Sequence, residues 1–443
     1  MTPRAPIAVP LGASEAKGPA RFGPKAANLA ALAQAGLPTP GGTCIDAAAY
    51  RAQLAHLGLA STAREAASAE PLLARRCGLR LRLALFEQPV AAPLLDPLRR
   101  AWDELHAAPA AVRSSALAED RAGSSFAGQF ESYLGVETEA DFLTAVRACW
   151  AALWSVRALR YMASRGLDPA EMAMAILVQP LVAARASGGG LSRTASGEML
   201  LSAVPGLGSA IAQGEVLPDR YRLARNGKLL RVEPGRPERR LGCRHHQSEG
   251  VPGKAPVASV CLDASKAGEL GRLLLRAEEV LGGPLEIEWA LDEAGFKLLQ
   301  ARPLRLEEAL VPDQPSPAHR GATGEPAGIG RASGRACVVS CECELGRVAP
   351  GDVLVTRFAS PALTHVLGRV AAVVTELGSS TSHLASLARE RGLPLVLGVP
   401  DATARIPDGA QVAVDGTSGL VRWTPGGRKA WIAGTPPSLP RSP

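Results

Sequence analysis

Aromatic residues are scarce in this chain: 4% of its 443 residues are Phe, Trp or Tyr, so it has few of the stacking platforms that hold single-stranded nucleic acid. It also lacks a long basic block. The net charge of +7 and pI near 9.1 come from arginines dispersed along an Ala-rich chain, and dispersed charge serves phosphate binding as readily as nucleic acid. Nucleic acid is therefore not expected as a partner. No 18 apolar residues run uninterrupted, so no membrane partner is expected, and the opening MTPRAPIAVPLGASEAKG lacks the apolar core of a secretory signal. The eight cysteines show no CxxC spacing. Reduced thiols and a cytoplasmic location are the expectation.

What is present suffices for two to four domains with full cores. Asn28 to Ala35 has helical periodicity closed by Gly36 and Pro38. AAVRSSALAEDRAGSSFAGQFESYLGV (Ala110 to Val136) reads as strand, Gly/Ser loop, strand. Such a loop either lays backbone N–H groups over a polyphosphate or makes an ordinary soft-turned hairpin. From Asp141 to Arg165, the stripe Phe142, Val146, Cys149, Trp150, Leu153, Trp154 and Leu159 predicts one long amphipathic helix packed on a core. Met172 to Val182 predicts a buried strand, and Leu285 to Leu304 a hairpin turning at Asp-Glu-Ala-Gly. Glu307 to Pro326 has the Pro, Ala and Gly content of a linker. Short strands then run from about Gly328 to Trp423 with one helix among them, and the Pro-rich last twenty residues read as a disordered tail.

Three places could carry chemistry. His383 stands between an apolar strand, AAVVTE, and a helical stretch closed by Gly392 and Pro394. It falls in the first turn of a helix entered from a Gly-Ser loop, where free N–H groups and the helix dipole favour an anion such as a phosphoryl group. In the hairpin, alternation puts Glu286 and Glu288 on one strand face and Gln300 and Arg302 on a face of the return strand. These can hold Mg²⁺ with the phosphates it bridges, or form a salt-bridged surface hairpin. Cys243, His245 and His246, and the pair Cys341 and Cys343, lack a second pair at zinc-finger spacing and read as incidental. Arg389 is expected to pair with Glu376 or a neighbouring carboxylate.

Five blocks in order then carry a resemblance. They are GPKAANLAALAQAGLPTPGG, AVRSSALAEDRAGSSFAGQFESYLGV, the strand ending VQPLV, EIEWALDEAGFKLLQARP, and GDVLV…TELGSSTSHLASLARERGLPLVLGV…DGAQVAVDGTSGLV. The chain resembles the ATP-dependent phosphotransferases that include phosphoenolpyruvate synthase, pyruvate phosphate dikinase and rifampicin phosphotransferase. The resemblance implies a multidomain α+β and α/β fold: an ATP-grasp ATP-binding domain over 1–306 (N-lobe about 1–185, C-lobe about 186–306), a linker over 307–326, a swivelling β/β/α phosphohistidine domain over 327–424 and a tail over 425–443. It implies ATP and Mg²⁺ as cofactors. Lys25 and Arg113 would contact ATP phosphates, Gly128 and Ser132 would belong to the loop covering them, and Gln179 would sit in the nucleotide pocket. Glu288 and Gln300 would hold Mg²⁺, Arg302 would reach the phosphates, and His383 would carry the phosphoryl group.

The chain departs from the family pattern at Gly378-Ser379, where a Gly-Gly pair is usual; at Gly206-Leu207-Gly208-Ser209, which lacks the family's glutamate; and at Ser187 to Ser192, polar and Gly-rich where apolar residues are usual. No segment corresponds to the family's acceptor-binding domain. The expected function is thus a dikinase-type phosphotransferase: ATP goes to AMP, the β-phosphoryl to His383, and from there to a small-molecule acceptor. The alternatives are a phosphohistidine carrier serving a separate acceptor-domain protein, and a non-catalytic nucleotide-binding regulator.

Overall fold

A computed structural model describes the chain except for residues 1–5, 69, 106–108, 120–125, 127, 128, 131, 236–259, 305–319 and 425–443. The fold is mixed α/β and divides into two compact units. The first is drawn from residues 1–209, 218–235 and 259–306, the second from 210–217, 236–258 and 307–443. The expected tail, most of the expected linker, Gly128 and the Cys243 cluster lie outside the described residues. The last part of the span read as linker forms two short strands of the second unit, described below.

The first unit holds two sheets. One has the order β1-β2-β5-β3-β4, made of β1 (Ala8–Pro10), β2 (Thr43–Ile45), β3 (Ala110–Ala116), β4 (Ser132–Val136) and β5 (Met174–Pro180). The other has the order β11-β10-β6-β7-β8-β9, made of β6 (Ala186–Leu191), β7 (Met199–Pro205), β8 (Asp219–Leu223), β9 (Leu229–Glu233), β10 (Leu285–Asp292) and β11 (Gly295–Pro303). Its helices are α1 (Pro19–Gln34), α2 (Ala47–His56), α3 (Ala60–Ser68), α4 (Pro71–Glu87), α5 (Ala92–Asp103), α6 (Glu139–Ala152), α7 (Val156–Ser164) and α9 (Ala264–Leu281), while the single turn α8 (Ser209–Ala212) begins at its last residue before the second unit's segment 210–217.

Strand alternation sorts the first sheet's side chains between two cores. Ile45, Val112, Ile176 and Val178 join a core with α2 to α6, built around Phe142, Trp150 and Trp154. Cys44 and Leu177 point the other way, into a core with Phe22, Leu29 and Leu32 of α1 and with Leu201, Ile287, Trp289 and Leu298 of the second sheet. Helix α1 therefore lies between the sheets, touching β3 and β5 on one side and β11 on the other.

The helix expected over Asp141 to Arg165 is two helices. After Leu153 and Trp154 complete the buried stripe, the Ser155 hydroxyl accepts from the Ala158 N–H at 3.1 Å and starts α7 afresh. One stretch, Glu139–Ser164, is long and apolar enough to cross a membrane by length and composition, and over half of it is buried in the fold.

The second unit is an eight-stranded sheet of order β12-β19-β18-β14-β15-β16-β17-β13. Its strands are β12 (Arg320–Thr323), β13 (Glu325–Pro326), β14 (Arg331–Val339), β15 (Val353–Thr356), β16 (Ala372–Thr375), β17 (Leu395–Leu397), β18 (Gln411–Asp415) and β19 (Leu420–Trp423). Strands β14 to β17 are parallel to one another, and α10 (His383–Arg391) makes the crossover from β16 to β17. A last turn, α11 (Ala402–Arg405), precedes β18. Cys341 and Cys343, read from sequence as unpaired, form a disulfide with Cα atoms 5.3 Å apart; the one-residue spacing sits at the entry to a 3₁₀ segment, Glu342–Arg347, which brings the two sulfurs together.

Candidate active site

Helix α1 is kinked at Gly23, whose φ of 72° only glycine adopts readily and whose missing side chain leaves room for Ser115. Pro24 opens the second half of the helix as a first-turn proline, which places Lys25 at a fresh helix start. The Lys25 ammonium donates to the Ser114 carbonyl at 2.7 Å and pairs with Glu119 at 3.0 Å, both side chains buried. Sequence reading missed Glu119. Its only signal was the acid of SALAED, lying 94 residues beyond the lysine it holds.

Arg113, in the middle of β3, reaches Glu288 of β10 at 3.3 Å. Its buried Nε meets no acceptor among the described residues. An N–H left that way in a protein interior costs about 1–3 kcal/mol unless an acceptor arrives, and a nucleotide phosphate is such an acceptor. Ser132 opens β4 directly across from Arg113 and is exposed. Gln179, buried near the end of β5, donates its amide to the Gly41 carbonyl at 3.2 Å.

The β10–β11 register sets Glu286 opposite Arg302 and Glu288 opposite Gln300, with a bulge between Glu288 and Trp289. Glu286 and Arg302 form a buried, two-pronged pair, at 2.9 Å and 3.3 Å. Among the described residues no three His, Cys, Asp or Glu side chains gather as a metal cluster. The donor set at Glu288 and Gln300, one carboxylate and one amide oxygen, fits Mg²⁺, which takes few protein ligands and completes its shell with phosphate and water. The structure thus brings Lys25, Arg113, Ser132, Glu288, Gln300 and Arg302 onto α1 and the adjoining strands of one unit.

The Gly-rich segment Ser187 to Ser192 forms β6, between β10 and β7. A side chain at Gly188 would strike the Ser202 carbonyl and crowd the Trp289 ring, and the Trp289 indole donates to the Gly189 carbonyl at 3.1 Å. The glycines accommodate a tryptophan that closes the sheet, which is a packing reason for the departure from the family pattern.

In the second unit, His383 is the first residue of α10, and Ser382 caps the helix by accepting from the Ala385 N–H at 3.3 Å. The preceding loop is a buried set of hydroxyls, Ser379 to Ser382. Two side chains brace its backbone: Glu325 accepts from the Ser380 N–H at 2.8 Å, and Arg389 donates to the Ser380 carbonyl at 2.7 Å. Of the partners expected for Arg389, Glu376 accepts from the Thr403 N–H at 2.9 Å and pairs with Arg357 at 3.5 Å. Gly378 takes φ of 114°, whereas Ser379 does not have a positive φ, so the serine that replaces the family's second glycine meets no left-handed backbone. His365 is exposed in a short 3₁₀ segment.

Comparison with known proteins follows the same division. The family described as "Pyruvate phosphate dikinase, AMP/ATP-binding domain" matches residues 20–319, and "PEP-utilising enzyme, mobile domain" matches 348–419. Phosphoenolpyruvate synthase of Aeropyrum pernix is 32% identical over 456 residues, covering 90% of this chain and 56% of that protein. The probable phosphoenolpyruvate synthase of Archaeoglobus fulgidus is 34% identical with the same coverage, and phosphoenolpyruvate synthase of Escherichia coli is 31% identical over 78% of this chain and 48% of its own length. The chain spans about half the length of these curated relatives. With both family segments matched in order and such relatives across nine-tenths of its length, the chain belongs to the phosphoenolpyruvate synthase and pyruvate phosphate dikinase family.

Proposed function

We propose that the chain is an ATP-dependent phosphotransferase in which an ATP-grasp unit loads His383 on a swivelling unit, and the phosphohistidine then delivers its group to a small-molecule acceptor. The observation that carries this reading is the buried Arg113, whose Nε has no acceptor among the described residues while its other arm meets Glu288. Lys25 is at a helix start in the same unit, so a second cation and helix N–H groups are available to a polyphosphate.

In the first step, a neutral imidazole nitrogen of His383 attacks the β-phosphorus. A nitrogen–phosphorus bond forms, the bridge between the α- and β-phosphates breaks, and AMP leaves with the bridging oxygen. The γ-phosphoryl is then released to water or phosphate, and the acceptor takes the remaining phosphoryl from His383. Lys25 and Arg113 counter the charge that spreads over the phosphate oxygens, and Glu119 and Glu288 keep those cations aimed. Glu288 and Gln300 would hold Mg²⁺, which would supply charge neutralisation for the phosphates. The Ser379 to Ser382 loop fixes the imidazole at the positive end of α10, where an attached phosphoryl group is favoured. Two transfers through one histidine separate the nucleotide step from the acceptor step.

Incubation with ATP labelled at the β- or γ-phosphate tests the reading. Acid-labile β-label at His383 together with AMP formation is expected. Label from the γ-position alone would overturn the AMP-forming route, and no label from either position would leave a nucleotide-binding regulator. Turnover that appears only on adding a second protein would make the chain a carrier.

A further inference from the structure

Helix α4 has two apolar faces. Cys77, Leu81 and Leu85 are buried in the first unit's core. On the opposite side Leu72, Leu79, Leu83 and Phe86 are 72%, 56%, 45% and 45% exposed. Their spacing is that of a heptad seam, with Leu72, Leu79 and Phe86 at d positions, Leu83 at a, and Arg76 at the other a. The flanking g and e positions hold Arg75, Arg80 and Arg82, with Leu73 and Glu87 at the ends. These arginines and Arg76 are exposed, and none lies within ion-pair distance of a carboxylate among the described residues. Singly exposed leucines are ordinary on a protein surface. A seam of four in register, rimmed by unpaired cations, is a surface shaped for a helix.

We propose that α4 docks a helix of a partner protein that carries apolar residues at its own a and d positions, an acid opposite Arg76, and Asp or Glu at its e and g positions. Charge selects this occupant. A second copy paired in parallel would set Arg75 against Arg80 and Arg76 against Arg76, and an antiparallel copy would set Arg75 against Arg82. Segments 236–258 and 425–443 carry more arginine and lysine than acid, and 305–319 has no apolar heptad pattern, so this chain offers no complement there. A lipid surface rewards a broad apolar face, whereas this seam is one or two side chains wide and hemmed by arginines on both sides. The proposal is independent of the phosphotransfer reading, since no residue of α4 belongs to the candidate active site.

The probe is a synthetic three-heptad helix with leucine at a and d, one aspartate at the a position facing Arg76, and glutamate at every e and g position. Its own like charges keep it from self-pairing. Fluorescence anisotropy with the full chain should show saturable binding that weakens with salt, and Leu79→Glu with Leu83→Glu should weaken it at least about tenfold. Arg75→Glu, Arg80→Glu and Arg82→Glu together should transfer the preference to a lysine-flanked version of the peptide. Both variants should keep the parent's melting temperature and its β-label at His383, because the altered side chains face solvent. Absence of binding, equal binding of the glutamate and lysine peptides, adsorption to phosphatidylglycerol vesicles that Leu79→Glu abolishes, or self-association that the same change abolishes would each overturn the proposal.

Discussion

The two units hold their chemistry in opposite ways. In the first, cations are paired in advance: Lys25 with Glu119, Arg113 with Glu288, Arg302 with Glu286. In the second, hydroxyls, backbone groups, one acid and one arginine bound to a carbonyl position the loop that leads into His383. Pre-pairing lets a domain keep several buried cations without a ligand, because each charge has a local partner to offset its desolvation. A polyanion then competes for those cations.

The sharpest way to break the contrast is His383→Ala. It should abolish phosphoryl label completely while isothermal titration shows unchanged ATP affinity; persistence of acid-labile label would move the carrier to another residue. Arg113→Ala should weaken ATP binding by about 2–4 kcal/mol, roughly 30- to 1,000-fold, since it removes a buried charged donor. Glu119→Gln should have a smaller effect on ATP affinity, because Lys25 keeps its charge and the Ser114 carbonyl. Glu325→Ala leaves the buried Ser380 N–H without its acceptor and should cost about 1–3 kcal/mol. Hydrogen exchange at the Ser380 amide should accelerate, with the phosphoryl-transfer rate falling while ATP affinity holds.

The smallest effect concerns acid. Burial raises the carboxyl pKa of Asp415, but N–H and hydroxyl groups at Thr417 and Ser418, with Arg331, outweigh it and hold the group below its ordinary value. A depressed carboxyl contributes stability above its unfolded pKa and loses it as pH falls through the folded one. Asp415→Asn should therefore lower the melting temperature near neutrality and flatten the fall in melting temperature below about pH 4.

Much of this arrangement was legible in the sequence because it rests on local pattern. The hairpin over 285–304, the strand ending VQPLV, the apolar run AAVVTE and the helix headed by His383 each follow from local pattern and from Gly or Pro stops. What escaped depends on residues remote in the chain. Glu119 meets Lys25 only after β3 and α1 pack together. Gly188 of β6 makes sense only beside the Ser202 carbonyl of β7 and Trp289 of β10, the latter about a hundred residues on. Arg389 reaches the carbonyl of Ser380 because its long side chain extends back along α10 to the loop ahead of the helix, which periodicity does not encode. The short strands Arg320–Thr323 and Glu325–Pro326 carry no alternation long enough to read, and edge pairing with β19 and β17 makes them strands.

Helix α1 has one more consequence. Because Phe22, Leu29 and Leu32 fill the one core that the two sheets share, the face each sheet turns toward α1 stays uncovered without it. The halves of the nucleotide unit should then behave in a calorimeter as one cooperative block with a single heat-absorption peak. A scissile site engineered between Pro180 and Ala186 should leave fragments that refold only when mixed, whereas a helix serving one sheet alone would allow each half its own transition.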